Sequence, residues 1–386
     1  MMNKYTFLKL LLLLAVLDAF SVWMLIFFYI TGIDVVFLVN INFIIMLTVL
    51  AFFMVYSISS SLMSLPFYLI LFISILKLFI FAIDTNVVGL NHFLSYFLGV
   101  MIPILAFNFT NSFKVQDREF VLGECQRFAY RYAWIALPGL AVYSVLYLIG
   151  NITYFGLGAN LHYIYPFFKD FNTLRVMLIF FVFILISGKR AVLLNFIAQN
   201  LVVYSSNIIR KPILGGGVTC ISVLTIVVLS TYSNFFDRFD IYFELDFNDA
   251  YDLTVAFGGR FEEAIGILAY FKEHPGQILF GSPPGAYYEW IVDVSNYQAS
   301  KNYSHVSPLG FLFRYGIVFT LMIYSCFLYL LVKLWSSKDP LFIVYVGILS
   351  SSFFGANLFI DPTSWVFIGL LCALSKKPMA IHKLSK

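Results

Sequence analysis

PLGFLFRYGIVFTLMIYSCFLYLLVKL, residues 308–334, is an unbroken apolar run in which Arg314 and Lys333 are the only charges. About 20 apolar residues cross a bilayer as a helix, so this run reads as a membrane span. Arg314 stands about two turns inside it, where an unpaired guanidinium is expensive. It therefore faces the bundle, a ligand or a buried acid. Gly310 and Gly316 flank it and leave space for a neighbouring helix. Comparable runs recur at 7–30, 35–57, 62–83, 89–108, 132–150, 173–188, 191–208, 213–232, 340–358 and 364–375. The first extends well past the apolar region of a signal peptide and is expected to be a retained span.

Composition agrees. Of 386 residues, 61% are hydrophobic and 11% charged, against about 25% charged in a soluble domain. Mean hydropathy is +0.90. A soluble enzyme, a disordered chain and a disulfide-stapled secreted module are excluded. The cysteines, Cys125, Cys220, Cys326 and Cys372, lie far apart and form no Cys-x-x-Cys pair. With five scattered histidines, no metal site can be read.

Basic residues collect on the cytoplasmic side of membrane proteins. That rule places the N-terminus, the 109–131 loop, the 335–339 turn and the Lys-rich tail inside. Between 109–131 and 335–339 the chain must cross an even number of times, yet five clear runs lie there. The stretch near 153–168, Gly-broken and rich in Tyr and Phe, supplies the sixth as a short, partly re-entrant span. The expectation is an all-α polytopic membrane protein of about twelve transmembrane helices, with both termini cytoplasmic. Residues 1–232 hold helices 1–9, 233–307 form one large external loop, and 308–386 hold helices 10–12 and the tail. Asp18 and Lys77, each inside an apolar run, are expected to pair with each other.

The external loop carries a net charge of −7, leaving +11 on the rest of the chain. A connection longer than about 12–15 residues is usually functional or disordered, and aromatics throughout this one argue against disorder. After Gly258-Gly259, the spacing of Phe261, Ile265, Leu268 and Phe271 predicts an amphipathic helix over 260–273, closed by Pro275-Gly276. A Gly/Pro-rich turn, Phe280-Gly-Ser-Pro-Pro-Gly285, follows. His305 stands at the mouth of the next span. An ordinary histidine titrates near neutrality and can move a proton; as an isolated external residue it also fits a plain interfacial role. Upstream, the turn Ser187-Gly188-Lys189-Arg190 faces outward against the charge rule. It reads either as a snorkelling pair or as an anion site at the membrane surface.

Taken together, these features resemble the bacterial superfamily of O-antigen polymerases (Wzy-type) and O-antigen ligases. Ser187–Arg190 is similar to that family's outward Ser/Arg turn, and Arg260-Phe-Glu-Glu-Ala-Ile-Gly266 to its Arg-led loop helix. Phe280–Gly285 is similar to its glycine turn, and His305 with Gly316 to its His-to-Gly motif. The likeness covers about 174–330. The chain departs from the pattern at Lys189, Val306 and Phe319.

The resemblance implies a GT-C-like glycosyltransferase of the bacterial inner membrane. It would act at the periplasmic face on oligosaccharides carried by undecaprenyl pyrophosphate, as donor and acceptor. Its partners would be the lipid bilayer and a chain-length regulator, with no nucleic acid and no cofactor. Cleaving a sugar from pyrophosphate builds negative charge on the leaving group. Arginine meets that charge with a fixed bidentate fork. Arg190 and Arg260, with Lys189 or Arg314, are the expected pyrophosphate ligands, and no metal is required. The acceptor hydroxyl needs a base, for which His305 is the first choice and Glu262, Glu263 and Glu289 are alternatives. Polymerisation of repeat units leads over ligation to lipid A–core. A non-enzymatic flippase is the reading from another class; no repeat relates the two halves of the chain.

Overall fold

The computed structural model describes residues 3–32, 44–46, 48–49, 65–81, 90–148, 160–169, 171, 173–187, 190–208, 260–292, 297–301, 304–335, 339–354, 358 and 361–375. The described chain is helical apart from one β-hairpin. In order it contains α1 (Lys4–Leu17), a 3-10 turn (Asp18–Phe20), α2 (Ser21–Thr31), α3 (Leu65–Phe81), α4 (Leu90–Thr110) and α5 (Arg118–Leu148). The short α6 (Leu161–Ile164), α7 (Leu174–Ser187) and α8 (Arg190–Ile208) follow. Then come α9 (Arg260–Glu273), β1 (Tyr288–Val292), β2 (Tyr297–Lys301), α10 (Ser307–Leu334), α11 (Pro340–Phe354) and α12 (Pro362–Leu374). The strands pair antiparallel, with Tyr288 opposite Lys301 and Val292 opposite Tyr297.

Among the described residues, two continuous stretches, Lys4–Thr31 and Ser307–Leu334, are long and apolar enough to cross a membrane. A third results if Leu94–Thr110 and Val115–Leu146, bent by 86°, count as one. Five shorter apolar helices accompany them among the described residues. By length and composition, these features are compatible with a membrane protein of more than one crossing. The expected spans at 35–57 and 213–232 lie largely or wholly outside the described residues.

One expectation needs correction at 109–131. This segment is not a loop throughout: helix begins at Arg118 and runs 31 residues to Leu148. The polar residues between 118 and 131 are Glu, Gln and Arg, which form helix readily, so the helix continues beyond the apolar run. The bend before it is fixed by Asp117, which accepts hydrogen bonds from Lys4 Nζ (2.6 Å), Tyr5 Oη (2.5 Å) and the Lys114 amide (2.8 Å). Arg118 pairs with Asp339 at 2.8 Å. The N-terminus, the start of α5 and the α10–α11 turn therefore meet at one end of the bundle, as their basic residues imply.

The stretch expected to be short and re-entrant is represented by 160–169. Leu161 to Phe167 are all buried, as the four-residue α6 followed by a 3-10 turn. Buried backbone needs partners, and the neighbouring helices supply them. Tyr132 Oη accepts from the Asn160 amide at 2.9 Å, and Gln199 Nε2 donates to the His162 carbonyl at 2.8 Å. Gln199 reaches this position because Gly347 of α11 has no side chain; a Cβ there would lie 2.5 Å from its amide nitrogen.

Asp18 and Lys77 do not pair. Asp18 accepts from Tyr132 Oη (3.2 Å) and Asn160 Nδ2 (3.1 Å), while Lys77 reaches the far end of the bundle. In each case neutral hydrogen-bonding groups lie nearer than the opposite charge.

Candidate active site

α9 has the predicted limits and buries one stripe. Ile267 and Phe271 pack with Tyr288 of β1 and Phe313 of α10 in a small core separate from that of the bundle. Glu263 lies one turn before Ile267 on the same stripe and is completely enclosed. The hairpin approaches closely because of Gly266, where a Cβ would stand 2.4 Å from the Glu289 carbonyl oxygen.

Four donors converge on the Glu263 carboxylate. Oε1 accepts from His305 Nδ1 at 2.5 Å and from Lys301 Nζ at 3.2 Å. Oε2 accepts from Ser304 Oγ at 2.7 Å and from the His305 amide at 2.9 Å. This fills the roughly four acceptor positions of a carboxylate. Burial alone would raise the Glu263 pKa, but the hydrogen bond and charge of His305, with Ser304 and the His305 amide, hold it below its ordinary value. Lys301 is pulled below its ordinary value by burial; Glu263 opposes that shift and Arg260 adds to it.

An ionised carboxylate only accepts hydrogen bonds. The hydrogen in its contact with His305 therefore belongs to Nδ1, and the lone pair of a neutral ring sits on Nε2. The His305 side chain is 38% exposed, the Glu263 side chain 1%. A buried acid thus orients a partly open imidazole, an arrangement suited to accepting a proton from a bound hydroxyl.

The module is seated on the bundle by an interruption in α10. Gly316 has φ 81° and ψ 174°, so the helix breaks there. The backbone groups released are taken by the segment that follows α9. Ser282 N–H donates to the Phe313 carbonyl (2.8 Å), Ile317 N–H to that of Ile278 (2.9 Å), and Val318 N–H to that of Leu279 (3.3 Å). Gly281, also at positive φ, lies against the break; a Cβ on it would stand 2.3 Å from the Arg314 carbonyl oxygen. Lys77 of α3 then closes the turn, donating to the carbonyls of Phe280 (2.5 Å), Gly281 (3.0 Å) and Ser282 (3.1 Å). Lysine has three donors, and these carbonyls occupy them.

The structure brings His305, Glu263 and Arg260 into one module. Arg260 opens α9, one turn before Glu263. Arg314 is enclosed, with its guanidinium donating to the Ser95 carbonyl (2.8 Å) and Ser95 Oγ (3.2 Å) of α4. Arg190 opens α8; its side chain, and all of Lys189, lie outside the described residues. Glu289 is exposed on β1. Both Glu262 carboxylate oxygens are enclosed without a hydrogen-bond partner among the described residues. No group of three or more metal-ligating side chains occurs among the described residues.

Ser304, Lys301 and Lys77 escaped the sequence reading as parts of this arrangement. Lys77 carried a signal, a charge inside an apolar run, but the signal did not name its partners.

No family model matches this chain, no curated protein matches it, and no solved structure matches its fold.

Proposed function

We propose that this chain is a polytopic glycosyltransferase of the bacterial inner membrane that joins undecaprenyl-pyrophosphate-linked oligosaccharide repeat units into O-antigen or a related surface polysaccharide. About twelve crossings would put both termini in the cytoplasm and the module at the periplasmic face. The observation that carries the reading is the Glu263–His305 pair, a buried carboxylate orienting a partly exposed imidazole at the head of α10.

The hydroxyl oxygen of the acceptor glycan attacks C1 of the donor sugar. His305 Nε2 takes the hydroxyl proton while the new C–O bond forms. The bond from C1 to the pyrophosphate oxygen breaks, and its electron pair leaves with the lipid pyrophosphate. Glu263 holds the ring through Nδ1 and stabilises the imidazolium that results. Arg260, with Arg190 and Lys189 from the outward turn before α8, meets the growing phosphate charge. Preorganised cations of this kind supply a large share of transition-state stabilisation in a water-poor site. With one base and no separate nucleophile, the anomeric centre inverts. Arg314 ties α10 to α4 and supports the site from behind.

The test uses purified protein in lipid with one undecaprenyl-pyrophosphate-linked repeat unit, and neither nucleotide nor lipid A–core. A ladder of longer lipid-linked glycans is the expected result. His305→Ala should remove about 100-fold or more of the rate, the usual scale of general-base loss. Arg260→Lys should also be impaired, because a point charge does not reproduce a bidentate fork. Transfer only after lipid A–core is added would make the chain a ligase with the same site. Silence in both assays with well-folded protein would count for a transporter.

A further inference from the structure

α9 has a second apolar face that its own core does not use. Phe261, Ile265 and Leu268 follow one another at helical spacing on the side opposite Glu263 and Ile267. They are 47%, 50% and 62% exposed. The turn after α9 extends this surface with Ile278, Leu279 and Phe280, each at least 39% exposed. Lys272 continues the stripe one turn beyond Leu268 and is also exposed. A face of this size in a module that buries Glu263 completely is not a loose element. It is an ordered surface that no protein covers among the described residues.

Two observations say what meets it. The first is continuity. The carbonyls of Ile278 and Leu279 bond the amides of Ile317 and Val318, which begin the longer half of α10. From there Ile317, Leu321, Leu328 and Val332 form an exposed apolar stripe, the side of a span that faces lipid. Phe280 leans on this helix, its ring 6.4 Å from that of Phe319. The second is depth. Ile317 to Trp335 measures about 27 Å at 1.5 Å per residue, close to the roughly 30 Å of a hydrocarbon core. Trp335 and Tyr329 are exposed at the far end, with Lys333 5.4 Å from the Tyr329 ring, as at a membrane–water boundary. With that boundary at Trp335, Ile317 and the turn bonded to it lie at the opposite one.

We infer that α9 and the Ile278–Phe280 turn rest in the lipid leaflet at this boundary, with Phe261, Ile265, Leu268 and Phe280 among acyl chains and Lys272 among lipid phosphates. The Glu263–His305 pair on the other side of α9 is then held at headgroup level, where the pyrophosphate of a lipid-linked substrate lies. The inference rests on the membrane reading of the chain and not on glycosyl transfer. Its test therefore needs no activity.

Nitroxide labels are placed singly at Leu268→Cys and Phe280→Cys, with Ile265→Cys in reserve for a variant that does not fold. Leu328→Cys serves as the lipid standard and Glu273→Cys as the aqueous one, all with the native cysteines replaced. The protein is reconstituted in phospholipid nanodiscs. Collisions with oxygen, which concentrates in lipid, are compared with those of a water-soluble nickel chelate. The expected result is oxygen preference at 268 and 280, within about twofold of position 328, and chelate preference at 273. Chelate access at 268 matching that at 273 would put α9 in water and overturn the inference. Closure of 268 to both reagents would mean that a protein surface, such as a second copy of this chain, covers the face, and would overturn it equally.

Discussion

Among the described residues, both continuous stretches long enough to cross a bilayer are interrupted, and in different ways. In Lys4–Thr31 the chain tightens into a 3-10 turn at Asp18–Phe20 and carries on. Its backbone remains within its own helix, and at the interruption the Asp18 side chain reaches out to Tyr132 and Asn160. In Ser307–Leu334 the backbone itself opens at Gly316, and a distant segment fills the opening. The first device tolerates a polar residue among helices. The second turns a helix into a socket, and the socket seats the module that holds Glu263 and His305. Buried backbone groups released from a helix persist only where other groups satisfy them, so the fit at Gly316 should be far less forgiving than the fit at Asp18.

Gly316→Ala tests that asymmetry most severely. The new Cβ would stand 2.4 Å from both the Gly281 amide nitrogen and the Leu279 carbonyl oxygen, at a φ that side chains resist. Left-handed strain and overpacking together should cost about 2–5 kcal/mol. Protease cleavage within 278–301 of otherwise membrane-inserted protein is the readout; wild-type resistance would mean that the socket does not hold the module. Lys77→Met comes next. It leaves three carbonyls short of a charged donor, at about 1–3 kcal/mol for each left unsatisfied and less where water enters. Faster amide exchange at 281 and 282, with little change in α12, would locate that loss.

Glu263→Gln should act more locally, at about 1–3 kcal/mol, and it carries a pH signature. Because the folded-state pKa of Glu263 is depressed, its contribution is complete above the ordinary carboxylate value of about 4.3 and is lost as pH falls through the lower folded value. The wild-type module should therefore loosen in acid, and the variant should lack that component; equal acid sensitivity in both would separate Glu263 from the stability of the module. Asp18→Asn should have the smallest effect, within about 1 kcal/mol, since an amide oxygen still accepts from Tyr132 and Asn160. A thermal shift comparable to that of Gly316→Ala would erase the distinction between the two interruptions.

What the sequence disclosed follows the range of the interactions involved. The limits of α9 were legible because Phe261, Ile265, Leu268 and Phe271 repeat locally, and Gly316 stood out as a point of close approach. That the N-terminus, the start of α5 and the segment after α10 share one end was legible from basic residues and agrees with the Lys4–Asp117 and Arg118–Asp339 contacts. Lys77 was misassigned because its partners are backbone carbonyls more than 200 positions away, and carbonyls leave no mark in a sequence. The central place of Glu263 was hidden similarly. Glu262 and Glu263 are adjacent and chemically identical, and only the packing of Ile267 and Phe271 shows which one meets His305, Ser304 and Lys301.

The distance between Lys77 and its carbonyl partners also sets an order of assembly. At about 5–20 residues per second, a ribosome that has finished α3 needs roughly 10–40 s more to reach Phe280. For that interval a helix of the growing bundle holds an ammonium whose eventual partners do not yet exist, at an insertion penalty of about 2.5–3.5 kcal/mol if fully immersed. On the membrane reading, α3 enters the bilayer early as a provisional tenant, and its final depth is set when the 278–282 turn emerges on the other side.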